Sequence, residues 1–147
     1  MIVKTKINSE TTKDLNDEQL SDLVYNKGVD KYLGTFGERF ENNENDKLLC
    51  QIFACSVLDA EVKNGGFDQF FLNAKALAIF AKEGLQLINA NEHAKLLILA
   101  INIYEEEKYK NERNPEFDKL DEAYYALDNL SNFLREFIKM NIENFFD

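Results

Sequence analysis

The stretch Glu61-Val62-Lys63-Asn64-Gly65-Gly66-Phe67-Asp68-Gln69-Phe70-Phe71-Leu72-Asn73 decides how this chain folds. Upstream of it, Leu48, Leu49, Ile52, Phe53, Val57 and Leu58 cover most of the circumference of a helix running from about Asn45 to Lys63. A helix that is apolar nearly all round is buried on several sides, so this one is expected at the centre of the molecule. Asn64-Gly65-Gly66 predicts its end. Glycine adopts the left-handed conformation without a Cβ penalty, so one of the two glycines is expected at positive φ. Phe67, Phe70 and Phe71 are then expected to enter the core, and Asn73 to cap a helix from Ala74 to about Leu87. Asn64, Gln69 and Asn73 carry amides that can bond backbone groups left unpaired by the turn.

Outward from this stretch the pattern stays helical. Asn16-Asp17-Glu18-Gln19 predicts a helix start, with a capping Asn, acids in the first turn and Gln at the capping-box position. Leu20, Leu23, Val24, Tyr25, Val29, Tyr32, Leu33, Phe36 and Phe40 keep the helical period, and Gly28, Gly34 and Gly37 predict a break or kink in it. Residues 41–46 read as a polar loop. A helix from Asn91 to about Glu105 carries Leu96, Leu97, Ile98, Leu99, Ile101 and Ile103 and is expected to be a second deeply buried helix. Asn114-Pro115 predicts another start, because Pro suits the first helical position. Phe117, Leu120, Tyr124 and Leu127 then share one face, with Asp118, Asp121, Glu122 and Asp128 on the other. Leu130, Phe133, Leu134, Phe137 and Ile138 form the face of a final amphipathic helix ending near Asn144, with Phe145 and Phe146 exposed or folded back. The expected class is all-α: five to seven helices, two of them central and buried, in one domain over residues 16–147. Residues 1–15 form an N-terminal arm, a short strand or a frayed end over Met1 to Ile7.

Composition narrows the function. The 147 residues hold 17 Lys and Arg against 27 Asp and Glu, a net charge of −10. That excess argues against direct nucleic-acid binding through basicity. The longest apolar run, Leu96 to Ile101, is too short to span a membrane. The opening residues do not read as a secretory signal, so a cytoplasmic protein is expected.

Catalytic chemistry finds little purchase. Cys50 and Cys55 lie about 140° apart on a helix, so they are expected to be unpaired core residues. Together with His93, expected at the surface, they lack the spacing of a zinc site, and no Glu-x-x-His pair is present for a di-iron bundle. The Gly65-Gly66 loop lacks the preceding strand and the basic residue of a phosphate-binding loop. Glu61 and Asp68 form a carboxylate pair of the kind glycosidases use, but such a spacing arises readily by chance. No cofactor, no metal and no enzymatic activity are therefore expected. A deep pocket lined by Glu61, Asn64, Asp68 and Asn73 would favour an enzyme instead.

The motif Asn64-Gly65-Gly66-Phe67-x-Gln69-Phe70-Phe71-x-Asn73, preceded by Glu61, resembles the signature of the DNA-mimic protein family. The similarity extends through the buried helix before it, the Leu- and Ile-rich helix after it, and the stretch from Asn114 to Asp121. The resemblance implies an acidic helical protein, a homodimer in the family's described member, that imitates the charge of duplex DNA and sequesters DNA-binding proteins such as transcription regulators. Related domains in bacterial toxin loci imply an alternative, an immunity protein that neutralises a toxin. Either way the partner is a basic protein.

Charge arithmetic tests this. A compact chain of this length is about 38 Å across. Duplex DNA of that length carries roughly 22 phosphates, about half of them on one face. A charge of −10 spread evenly would show only about half its value on a face, so mimicry requires clustering or dimerisation. Residues 1–100 hold 15 acids and 11 bases, and residues 101–147 hold 12 acids and 6 bases. The excess is concentrated in the last third, and Glu105, Glu106, Glu107, Glu112, Asp118, Asp121, Glu122 and Asp128 are the candidate partner-binding surface. Glu116 joins them as first-turn compensation of the helix dipole.

Overall fold

A computed structural model describes residues 5–32, 44–106 and 113–147. Among these described residues seven α-helical segments follow one another: α1 (Ser9–Thr12), α2 (Asp17–Tyr32), α3 (Glu44–Ala74), α4 (Ala78–Leu87), α5 (Asn91–Glu105), α6 (Asp118–Tyr125) and α7 (Leu130–Met140). Three 3₁₀ turns, Lys75–Leu77, Pro115–Phe117 and Ile142–Phe145, join or end them. Among the described residues there is no strand, so the all-α expectation holds. Of the strand or frayed end expected over Met1 to Ile7, residues 5–7 are described and form no strand; residues 1–4, the pattern at Leu33, Gly34, Phe36, Gly37 and Phe40, and Glu107 and Glu112 lie outside the described residues.

Local chemistry accounts for the helix starts. Asn16 and Gln19 close the expected capping box: the Gln19 N–H donates to Asn16 Oδ1 at 2.8 Å and the Asn16 N–H to Gln19 Oε1 at 3.0 Å. Asn8 and Thr11 close a second box on α1 that the sequence reading did not single out. Asn114 Oδ1 accepts from the Glu116 N–H at 2.9 Å, with Pro115 at the first position of the turn that leads into α6.

Helix α3 is the hub. It packs against α2, α4, α6 and α7, and Cys50, Ile52, Phe53, Ala54, Cys55, Leu58 and Val62 are buried along it. Both cysteines are free, and burial pushes both thiols up, that of Cys50 to about 12. Close approach of its neighbours depends on glycine. A Cβ on Gly28 of α2 would lie 2.5 Å from Phe53 Cδ1, and one on Gly84 of α4 would lie 2.5 Å from the Gln51 carbonyl oxygen. This corrects the reading of Gly28 as a break: α2 runs through it without interruption, and the missing side chain makes room for Phe53.

The second expected buried helix is corrected in part. In α5 only the stripe His93, Ala94, Leu97 and Ala100 is buried, while Ile98 and Leu99 are exposed. The helix lies against α4 and α6 on one side only, so a sequence apolar on several faces still meets solvent on one. Helix α7 buries Leu130, Leu134 and Ile138 as its period predicts, and stops at Met140, short of the expected Asn144. The following turn folds Phe145 back into the core.

The two ends of the described chain meet. Ile7 is fully buried. Its N–H donates to Asp147 Oδ2 at 2.9 Å, and the Asp147 N–H donates to the Ile7 carbonyl at 2.8 Å. Lys27 completes the clasp, pairing with Asp147 and donating to the Phe145 carbonyl at 3.1 Å. From Thr5 onward, then, the N-terminal segment is tied to the domain.

Candidate functional site

The glycine pair ends the first helical run of α3, as expected, and α3 is two helices joined across this kink. Gly65 has φ −154° and Gly66 has φ 76°, ψ −175°, and the chain resumes helix at once to Ala74. The expectation of positive φ is met at Gly66, in a region of backbone space that side chains essentially do not enter. Phe67, Phe70 and Phe71 are buried beyond the bend. Fully burying Phe67 and Phe70 stabilises the fold by about 1.5–3 kcal/mol each. Their rings connect three elements. Phe71 stacks on Tyr104 of α5 at 4.5 Å and on Phe117 at 5.6 Å, and Phe67 meets Tyr124 of α6 edge-on at 5.9 Å.

The bend exposes backbone donors, and carboxylates take them. The Phe67 N–H donates to Asp121 Oδ1 at 2.9 Å, and Asp121 Oδ2 occupies the space a Gly66 Cβ would need. Across the same region the Asn114 N–H donates to Asp68 Oδ1 at 2.8 Å. Burial raises the Asp121 pKa; the Phe67 N–H opposes the rise, nearby Asp68 and Asp118 add to it, and Arg113 lowers it. Upstream of the bend, Tyr124 donates to Asp59 at 2.7 Å and Tyr125 to the Val62 carbonyl at 2.8 Å, which pins α6 against α3.

The polar residues of the motif act differently from expectation. Glu61 Oε2 accepts from Gln69 Nε2 at 2.7 Å and from Asn73 Nδ2 at 3.1 Å, a side-chain brace across the bend. Gln69 and Asn73 therefore serve a carboxylate and not the backbone. Asn73 caps nothing: it lies inside α3, and the cap position before Lys75 is Ala74 with no side-chain bond. Asn64 is exposed. Glu61 and Asp68 are committed to different neighbours, so the motif is a device that shapes a bend.

His93 is corrected outright. It is 3% exposed, not a surface residue. Its ring stands edge-on to Tyr124 at 5.2 Å and to Phe133 at 5.6 Å. Burial lowers its pKa, against opposing effects from Asp59 and a hydrogen bond to the Asp128 backbone. Nothing in its sequence neighbourhood carried that signal, since the pocket is built by α6 and α7.

The acidic residues divide. Glu105, Glu106, Glu122 and Asp128 are exposed. Asp118 is partly exposed and pairs with Arg113. Asp121 turns inward to the bend, so it is a structural carboxylate and leaves the expected binding surface. The Tyr104–Phe71–Phe117 stack brings the end of α5, with Glu105, beside the start of α6, with Glu116 and Asp118. Residues 113–128 hold five acids, Glu116, Asp118, Asp121, Glu122 and Asp128, against Arg113 and Lys119. Among the described residues there is no group of three or more His, Cys, Asp or Glu placed to hold a metal ion, and no helix is long and apolar enough to cross a membrane.

A family model described as DMP19-like protein matches residues 43–141, from the start of α3 to the end of α7. Comparison with curated proteins and comparison with solved structures each gave no match.

Proposed function

This chain belongs to the DMP19-like, DNA-mimic protein family, and from that premise we propose that it is an acidic, non-enzymatic binding protein that occupies the basic DNA-binding surface of a partner such as a transcription regulator. The observation that carries the reading is the set of exposed carboxylates around the junction of α5 and α6: Glu105 and Glu106 at the end of α5, Glu116 in the turn before α6, Glu122 on α6 and Asp128 in the turn after it, with Asp118 partly exposed and paired with Arg113. A protein groove that binds phosphates presents Lys and Arg at closely spaced positions, and carboxylates on a helical edge meet them by the same Coulomb attraction. Charges held on helices need no reordering on binding, which favours fast, steered association.

The test is to isolate the partner from the native host and measure the complex at low and high salt. Affinity should fall steeply with salt, duplex DNA should compete for the partner, and Glu122→Lys with Asp128→Lys should slow association more than it speeds dissociation. Both side chains are exposed, so folding should be little changed. An affinity indifferent to salt would refute the reading.

A further inference from the structure

A cavity of about 280 Å³ opens where α2, α3 and α7 meet. α2 precedes residue 43, where the family match begins, so the matched region alone does not build this site. Each of the three helices places a serine in the wall, Ser21, Ser56 and Ser131, and side chains this short leave space that larger ones would fill. The Ser21 hydroxyl is buried without a hydrogen-bond partner among the described residues, and a bound water or ligand is one way such a group is satisfied. Phe53 and Leu134, both buried, give the cavity an apolar floor. Charges of both signs line it. Glu18 and Asp22 stand one turn apart on α2, and Arg135 stands on α7. Among the described residues neither carboxylate forms an ion pair or a hydrogen bond, and Arg135 donates only to Asn132 of its own helix, at 2.7 Å. Opposite charges thus share one cavity without closing on each other.

We propose that this cavity binds a free α-amino acid with an apolar side chain: its carboxylate on the Arg135 guanidinium, its ammonium at Glu18 and Asp22, and its side chain on the apolar floor. Charge selects the class. A simple anion would meet two carboxylates and a simple cation would meet the guanidinium, whereas a zwitterion satisfies both sides at once. The guanidinium fork keeps N–H groups beyond the one given to Asn132, and its planar geometry suits a carboxylate. Residues inside a peptide carry neither backbone charge, so the free amino acid fits and the peptide does not. Size agrees. A cavity of about 150 Å³ holds benzene, so this one has room for about ten non-hydrogen atoms.

NMR titration of the whole protein with leucine, methionine and phenylalanine as probes tests the site. Leucinamide, which lacks the carboxylate, and 4-methylpentanoate, which lacks the ammonium, are the comparisons. At least one of the three amino acids should bind with Kd below about 1 mM and move amide signals within residues 18–25 and 131–138. Both comparisons should bind at least about tenfold more weakly than leucine, and Arg135→Gln and Asp22→Asn should each weaken the amino acid by about the same factor. Asp22 is exposed, so its variant should fold and keeps the test in force if Arg135→Gln does not; circular dichroism checks both. The proposal is overturned if none of the three binds at up to about 10 mM, if the shifted signals lie elsewhere, if leucinamide or 4-methylpentanoate binds as well as leucine, or if the variants bind like the native protein. The carboxylates around α5 and α6 play no part in this measurement, so its outcome is independent of the partner-binding reading.

Discussion

Replacing Gly66 by alanine tests the bend directly. Two costs add. A non-glycine residue at φ 76°, ψ −175° carries strain of about 1–3 kcal/mol. The new Cβ also needs the space of Asp121 Oδ2, so the carboxylate must move off the Phe67 N–H. A hydrogen bond to a charged group is worth about 1.5–3 kcal/mol, less here because Asp121 is partly solvated. The total, about 2–5 kcal/mol, is a large part of the about 5–15 kcal/mol by which a native domain is stable. For a chain of this size the melting temperature should fall on the order of 10 °C. Urea denaturation gives the free energy, and Asp121→Ala supplies a cycle. With the carboxylate gone the alanine has room, so Gly66→Ala should cost only its strain in that background, and the two substitutions should combine by less than their sum. Gly65→Ala is a comparison: its φ is negative, and its Cβ would press on Gln69 from Oε1 to Cβ, at 2.9 Å or less, so its cost should come from displacing Gln69 and should not respond to Asp121→Ala. A Gly66→Ala protein within about 0.5 kcal/mol of the native one, or strict additivity with Asp121→Ala, would refute this account.

Three further outcomes are expected. Because the folded pKa of His93 lies below the unfolded value near 6.5, the unfolded chain binds the extra proton first; the stability gained by keeping His93 neutral is complete above about pH 7.5 and is lost as pH falls through that value toward the folded pKa. His93→Phe, which keeps an aromatic ring against Tyr124 and Phe133, should flatten this part of the profile in denaturation measured between pH 7.5 and 5. The Ser21 hydroxyl is buried without a hydrogen-bond partner among the described residues, so Ser21→Ala should leave the melting temperature unchanged or raise it, and a loss above about 1 kcal/mol would show a partner bond to it. Glu61→Ala removes the acceptor shared by Gln69 and Asn73, and should cost about 1–2 kcal/mol in urea denaturation, with hydrogen exchange accelerated in residues 67–73 and not in α7.

Local rules were readable in the sequence wherever a residue acts on its own helix. Asn16 with Gln19, Asn114 with Pro115, and the Leu130–Ile138 face all rest on contacts within a few residues, and each forms as expected. Gly66 belongs with them, since its φ follows from the need to turn. Residues whose role depends on a distant element misled the reading. Gly28 looked like a helix breaker because nothing local shows that Phe53 lies against it. Asp121 looked exposed by helical spacing, yet a bend 54 residues earlier supplies the N–H it accepts. His93 follows Glu92 near a helix start, a surface pattern, and is buried only because α6 and α7 close over it. In α5 the reverse occurred: apolar residues on several faces suggested full burial, and the fold provides neighbours for one side. The acidic edge was legible as a charge excess in residues 101–147, but which carboxylates face outward was set by tertiary contacts.

The clasp between Ile7 and Asp147 bears on the order in which the chain assembles. It closes a loop of 140 residues, and closure of that length costs about 4 kcal/mol of chain entropy beyond a constant. One backbone hydrogen bond at about 0.5–1.5 kcal/mol, the Ile7 N–H bond to the Asp147 carboxylate at about 1.5–3 kcal/mol and one partly exposed ion pair only about match that cost and leave the constant unmet. The clasp therefore cannot nucleate folding. It closes once α2, α3 and α7 have already brought the ends together, when little entropy is left to lose, and it is among the first contacts to open when the native state is loosened. A fluorophore pair placed beside Ile7 and Asp147 would thus record the completion of folding and not its onset.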